Sequence, residues 1–446
     1  MNTLPIIALE NWTPVIAGVG GVIAIIMLFV AMRANKRGRL ISDVPTSKTS
    51  GVFIGLVELK GTAESESPLT SFLDECHCVW FQYSIAEHWS RTVTETYTDS
   101  DGNTKTRTRR ESGWKTVDSG GSMQPFYLKD EVGAVRVLPE GAEISGDGVF
   151  SETVSRGDPL YYGKGPAMAV AHSDHRRRFV ETAIRLHVPL YLMGPSRLRE
   201  DIVAPEIAHD KYAQLFMIST KSEESIVKGY TWQFVGCGLL GAIFAGVGAG
   251  VGTSSIVMTR ELAILYGILG AVVYGLFFAM GWIWTVYNSL IGLRNRVNQA
   301  WSNVDVELKR RSDLIPNIVK SIEAASGHER EVQEELAAIR AQAGVTQPGD
   351  SGPDPEGVAG RLIAVVERYP ELKTNGNFLH LQEQLIDTEQ RIALAREYYN
   401  ESVEYYNNRR EVVPDRFIAS LAGMPPKPYI QAENFERAAV KVDFAE

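Results

Sequence analysis

The side chains able to hold a metal, an anion or a reacting group fall in three short stretches. The first is Cys76-His77-Cys78. Thiolate and imidazole are zinc ligands, but a tetrahedral site needs four of them. A one-residue spacing in a strand sends both thiols to one face and supplies no others, so the stretch reads as a strand with Cys78 packed beside Trp80. The second stretch is His172, His175 and the run Arg176, Arg177 and Arg178, whose guanidinium groups could contact anionic phospholipid headgroups or simply form a charged loop in solvent. The third, Tyr161-Tyr162-Gly163-Lys164-Gly165, has too few glycines to cradle a phosphate. Neither G-x-S-x-G nor H-E-x-x-H occurs, and no Ser, His and Asp set stands out. The residues thus yield no catalytic group, no cofactor site and no metal site.

Composition narrows the function further. Three cysteines in 446 residues cannot make a disulfide framework, and Cys237 sits in an apolar stretch. A net charge of −9 gives little attraction for nucleic acid.

Residues 13–32, 229–252 and 262–287 carry no charged side chain and reach the length a bilayer core demands, which predicts three transmembrane helices. No Lys or Arg precedes the first span and RANKRGR follows it, the pattern of an uncleaved anchor with its N-terminus outside. Arg33, Lys36, Arg37 and Arg39 after that span, and Arg294, Arg296, Lys309, Arg310 and Arg311 after the third, then place both soluble regions on the cytoplasmic face of a cytoplasmic membrane. Trp12, Tyr230, Trp232, Trp282, Trp284 and Tyr287 stand where interfacial anchors belong. Gly246, Gly248, Gly250 and Gly252 contain two small-xxx-small spacings, suited to close helix packing within the hairpin or between copies. No span contains Asp, Glu, Lys, Arg or His, so an ion pathway would lack obvious ligands.

Between the first two spans, residues 40–228 read as a β-rich domain, with runs at 52–59, 78–85, 134–138 and 184–192 separated by turn residues. Around Asp101-Gly102-Asn103 the pattern predicts a hairpin arm with a three-residue turn. That turn pairs Asp99 with Lys105, Tyr97 with Arg107, Glu95 with Arg109, Thr98 with Thr106 and Thr96 with Thr108.

From 288 onward the apolar positions Leu290, Leu293, Val297, Trp301, Val304, Leu308, Ile315, Ile318 and Ile322 recur mostly at helical spacing, so one helix runs from the third span into a soluble rod. Pro316 predicts a kink or break, with Ser312 or Asp313 capping the restart. A second stripe, Phe378, Leu381, Leu385, Thr388, Ile392, Ala395, Tyr399, Val403 and Tyr406, supplies a partner helix. Residues 344–357 form a broken linker, Val358, Leu362, Val365 and Tyr369 mark a short helix, and another is expected near 417–421.

The stretches YNSLIGLRNRVNQAW, DVELKRRSDLIPNIV, NFLHLQEQLIDTEQRIALAREYYNESVEYYN and the closing VDF resemble the LemA family over 287–446. That resemblance implies a membrane-anchored, mostly helical protein and brings no catalytic residue. GLVELKGTAE, SPLTSFLDECHCVWFQY, PFYLKDEVGAVRVLP and RFVETAIRLHVPLYLMG resemble the GIDE domain, the non-RING part of MULAN-type membrane E3 ubiquitin ligases, over 51–227. A RING needs eight Cys or His ligands in paired spacing, and where that family carries it this chain has the LemA-like segment.

The expected fold is an α+β membrane protein with three transmembrane helices, a β-rich GIDE-like domain at 40–228 and a long antiparallel LemA-like helical bundle at 288–446. The expected function is that of a non-catalytic scaffold or adaptor for cytoplasmic partners. It would contact the lipid bilayer, self-associate or bind a protein through the bundle, and bind no nucleic acid. The alternatives are an E3-like ubiquitin transferase, suggested by the GIDE resemblance, and an envelope or lipid stress sensor.

Overall fold

The computed structural model describes residues 13–98, 104–202, 204–211, 213, 215–254, 260–326 and 376–430. They fall into two compact units, Thr46–Glu223 and the segments flanking it.

The β unit contains β1 (Thr46–Ser47), β2 (Gly55–Glu64), β3 (Leu69–Thr70), β4 (His77–Thr98), β5 (Thr104–Met123), β6 (Phe126–Lys129), β7 (Ala134–Val137), β8 (Glu143–Ser145) and β9 (Asp147–Ser155). After a short helix come β10 (Ser173–Arg185), β11 (Pro189–Leu198), β12 (Pro205–Ile207) and β13 (Met217–Ser219). Strands β2, β6, β7, β12 and β11 pair in turn, and β11 pairs back to β2, so this sheet closes on itself. Closure follows from alternation: Phe126 and Leu128 of β6 and Val135 and Val137 of β7 point inward, where they meet Val57, Leu59, Leu192 and Ile218.

The run predicted as one strand at 184–192 is two strands. His187, at φ 62°, turns the chain between β10 and β11, so one apolar stretch feeds both sheets. The second sheet has the order β3-β4-β10-β9, with β5 along β4. A helix, α2 (Pro159–Gly163), starts where the Asp158 carboxylate accepts the Leu160 N–H, and its Tyr161 joins Ile85, Val154 and Phe179 in a small core.

Strand β10 follows β4 only as far as Trp89, beyond which β4 and β5 pair with each other alone as the predicted arm. At about 3.4 Å per residue the described ribbon is roughly 30 Å long. Its register differs from the predicted one by two residues: Thr98 faces Thr104, Thr96 faces Thr106 and Glu95 faces Arg107. The connection, residues 99–103, lies outside the described residues. This register sets Gly113 under the Trp89 indole and lets Arg91 Nη2 bind Glu111 Oε2 at 2.8 Å. Because the slip is even, the faces are as predicted: threonines line one, charged residues the other.

The helical unit holds α1 (Thr13–Ser42), α3 (Glu223–Ser254), α4 (Arg260–Ser326), α5 (Gly376–Glu411) and α6 (Asp415–Leu421). Helices α1, α3 and α4 are each long and apolar enough to cross a membrane. Helix α4, 67 residues long, passes unbroken from its apolar stretch into the part that packs on α5, the continuity the sequence predicted. Of the kink or break expected at Pro316, the break is absent: the helix runs through it, and neither Ser312 nor Asp313 starts a new one. Burial of Ile315, Ile318 and Val319 on the opposite side outweighs the missing backbone bond at this exposed proline.

Helix α5 packs antiparallel on α4, with Trp301 against Tyr399 at one level and Arg311 against Glu389 at another. Between them lie Leu290, Leu293, Val297 and Val304 from α4 and Leu385, Ile392, Val403 and Tyr406 from α5. After α6 the chain runs back along α5. Tyr406 Oη donates to Pro425 O at 2.9 Å, and the Asn407 and Asn400 side chains bind the backbone of Lys427 and Ile430. The predicted linker at 344–357, the helix at 358–369 and Trp12 lie outside the described residues.

Candidate functional site

The structure separates the three arginines. Strand alternation turns Arg177 inward, to 0% exposure, while Arg176 stays exposed and Arg178 stacks 4.1 Å from the Trp114 ring. The expected three-arginine lipid patch is therefore corrected, since Arg177 cannot reach a headgroup. Its Nη2 pairs with Glu87 Oε2 at 3.1 Å, and its two terminal nitrogens donate to the carbonyls of Tyr161, Pro166 and Met168. Glu87 also accepts from the hydroxyls of Tyr161 and Ser173. Burial alone would raise its pKa, but bonds from Ser173, Tyr161 and Arg177 outweigh it and hold the carboxyl below its usual value. This centre fastens the segment after α2 to the sheet. It also absorbs Tyr161-Tyr162-Gly163-Lys164-Gly165, whose Gly165 lies against Tyr161 O and Arg177.

Cys76 precedes β4 and lies 3.4 Å from the Ser71 hydroxyl, while Cys78 is buried as expected. Burial, then the neighbouring Cys76 and Glu181, push the Cys78 thiol up to about 12, so it is a poor nucleophile at neutral pH. Glu181 accepts the backbone N–H groups of Phe72, Leu73 and Asp74 and the Ser71 hydroxyl, which shapes the loop before Cys76. Among the described residues no group of three or more His, Cys, Asp or Glu could hold a metal ion.

The glycine stripe divides between two neighbours. A Cβ on Gly246 or Gly250 would sit 3.1 Å from the carbonyl of Gly267 or Ala263 of α4. One on Gly248 or Gly252 would meet Ala17 of α1 at 3.3 or 2.6 Å. Each small-xxx-small spacing thus serves a different helix, and both contacts lie within the chain.

The most connected polar site joins segments far apart in sequence. Where α1 ends, Asp43 Oδ1 accepts from Arg409 of α5 at 3.0 and 3.1 Å, and its other oxygen accepts from the Ser289 hydroxyl of α4. Asp415 of α6 receives both terminal nitrogens of Arg39, at 2.7 and 3.0 Å, and lies 3.7 Å from Arg409. Burial raises the Asp43 pKa, opposed by Arg409, Ser289 and Arg39. No spacing rule in the sequence could have assembled this site, because its partners are separated by 246 to 376 residues. Its chemistry is that of a clasp, locking an apolar helix to the rods that rise from the neighbouring one.

A closed β sheet with a projecting ribbon, and an antiparallel helix pair continuous with an apolar helix, define a mixed α/β chain with three membrane-length helices. Two family models match it: the LemA family over residues 300–444, and GIDE, described as E3 Ubiquitin ligase, over 94–252. One chain thus carries a segment that matches the LemA model and another that matches the GIDE model. The GIDE match begins within the β4 ribbon and extends into α3, further than the resemblance at 51–227. Among curated proteins the chain is similar to magnetosome proteins MamQ 1 and MamQ 2 of Paramagnetospirillum magneticum, 26% identical over 177 residues covering 32% of this chain. Magnetosome protein MamQ of Magnetospirillum gryphiswaldense is 26% identical over 175 residues, again 32% of this chain. The chain spans 64% of the length of these relatives.

Proposed function

We propose that the protein is a non-catalytic, multi-pass scaffold of a cytoplasmic membrane, presenting its GIDE and LemA segments to cytoplasmic partners or to further copies of itself. The observation that carries this reading is the clasp of Arg39, Asp43, Ser289, Arg409 and Asp415, which ties α5 and α6 to the end of α1 and to α4. Such a joint suits a protein whose work is to hold surfaces in place. The basic residues after the first and third spans support a cytoplasmic location for both soluble segments. The relatives are named as magnetosome proteins, and we extend to this chain a structural role in an assembly of that kind.

The test is crosslinking mass spectrometry in native membranes, combined with native mass after gentle extraction. Links between identical peptides and a mass several times 49.3 kDa are expected. A monomer without crosslinked partners would overturn the reading. The GIDE match also favours an E3-like transferase. Three cysteines leave a RING short of thiolates, and two tightly held zinc ions per chain by atomic absorption would restore that reading.

A further inference from the structure

We propose that the corner between α5 and the C-terminal segment, residues 410–424, is a second membrane contact, one that lies on an anionic bilayer surface rather than crossing it. This rests on the reading of α1, α3 and α4 as membrane-spanning.

Topology sets the height of the corner. Helix α4 leaves the apolar stretch at Tyr287, and two residues later Ser289 meets Asp43, which binds Arg409 at the end of α5. Helix α5 is antiparallel to α4, so it descends toward the membrane. It ends level with Ser289, about 3 Å along the helix axis from Tyr287. The chain turns through α6 and climbs back, with Pro425 at the level of Tyr406 and Ile430 at that of Asn400. The corner is therefore the membrane-proximal end of the helix pair.

Its surface is unlike that of a water-facing turn. Phe417 and Leu421, four residues apart on α6, share one face and are 62% and 91% exposed, and Val413 just before the helix is exposed as well. Val412 is exposed beside them, while Asp415 and Ala419 form the buried side of α6. Adjacent to this apolar stripe is a hollow of about 700 Å³ lined by Arg410, Glu411, Arg416, Ser420, Gly423 and Met424. Arg410 Nη2 binds Glu411, yet its Nε is buried without a hydrogen-bond acceptor among the described residues. Apolar side chains flanked by guanidinium groups at the level of the aromatic belt suit one occupant, a bilayer with anionic headgroups. The apolar groups would enter the acyl boundary while Arg410 and Arg416 take a lipid phosphate.

The full chain in nanodiscs of mixed phosphatidylcholine and phosphatidylglycerol, carrying a photoreactive residue at one site at a time, tests this. Leu421→p-benzoylphenylalanine is the probe. The same substitution at Trp284, 68% exposed near the end of the apolar stretch, is the positive control. At Val306, 63% exposed and roughly 25 Å further along α4 than Ser289, it is the negative control. Lipid adducts are expected at Leu421 and Trp284 and not at Val306, with phosphatidylglycerol enriched at Leu421. Arg410→Gln and Arg416→Gln should each lower that enrichment by about fivefold, the weight of one basic residue at an anionic surface. Adducts at Trp284 but none at Leu421 would overturn the contact and leave the spanning helices intact. No adducts at either site would overturn both. Enrichment unchanged in both arginine variants would overturn the headgroup site.

Discussion

Arg177 shows how much a single buried charge commits the surrounding chain. It holds one carboxylate and three backbone carbonyls, so removing it strands several polar groups at once. Arg177→Met keeps the bulk and deletes the donors. It should cost about 3–5 kcal/mol, as loss of one member of a buried pair does. Amide hydrogen exchange by mass spectrometry over the segment after α2 would register that loss. Arg176→Met, one residue away and exposed, should stay within about 0.5 kcal/mol. Equal losses in the two variants would contradict the inward turn of Arg177. In the sequence the three arginines are indistinguishable, because apolar alternation marks inward positions and this strand places Arg177 and Glu181 on its inward face along with Phe179 and Ala183. What makes those charges tolerable is Glu87, ninety residues away, and the N–H groups of residues 72–74, and neither is visible locally. Cys78 was legible for the converse reason: its apolar neighbours and spacing already mark it as inside.

At the scale of elements, the passage of α4 from its apolar stretch into the rod that packs on α5 was legible, since a helical stripe continues through the boundary. The break at Pro316 was overruled by packing that begins one residue before it. Proline in a helix interior costs about 3 kcal/mol relative to alanine, so Pro316→Ala should stabilise the α4–α5 pair, by about 1–3 kcal/mol after relaxation around the proline. Thermal unfolding of the extracted protein reads this, and a lower midpoint would mean that the proline's own geometry is required. The glycine stripe gives a prediction of opposite sign. A Cβ at Gly248 would lie 3.4 Å from Gly20 Cα, and the branches of Gly248→Val have no room unless α1 moves off α3, at a cost of about 1–3 kcal/mol. Cysteine crosslinking between α1 and α3 should fall in that variant, while crosslinking between α3 and α4 persists. Spacing revealed that the stripe packs closely, but which glycine meets which helix depends on the phase of α3 against two neighbours. The ribbon taught a similar lesson: threonine alternation gave its faces, whereas its register answered to Gly113 and Glu111, outside the stretch from which the turn was read.

For the molecule as a whole, one buried site in each unit holds its carboxylates in the opposite way to the other, and acid should therefore act on those two sites oppositely. In the α4–α5 pair, burial raises Glu307 and Glu389 above the ordinary glutamate value of 4.5, and nearby arginines only partly offset it. A carboxyl whose folded pKa is raised binds its proton more tightly when folded. Stability therefore increases as pH falls through the raised value, and the gain is complete below 4.5. Glu87 in the second sheet is held low. Its contribution is fully present above 4.5 and is lost as pH falls from there through its depressed folded value. Glu58 of β2 is raised by burial, so the β unit as a whole gives a mixed response and the test must be local. Hydrogen exchange corrected for intrinsic rates should show protection in peptides around 307 and 389 rising between neutrality and pH 4.5. Peptides covering 83–89 and 173–180 should hold steady there and lose protection below it. Glu307→Gln should abolish its share of the first response and leave the second untouched, since a neutral side chain at a buried site has no proton to gain. A parallel fall in all these peptides from neutrality downward would mean that the buried glutamates of the helix pair are stabilised as anions, and that Arg311 outweighs the burial around Glu389.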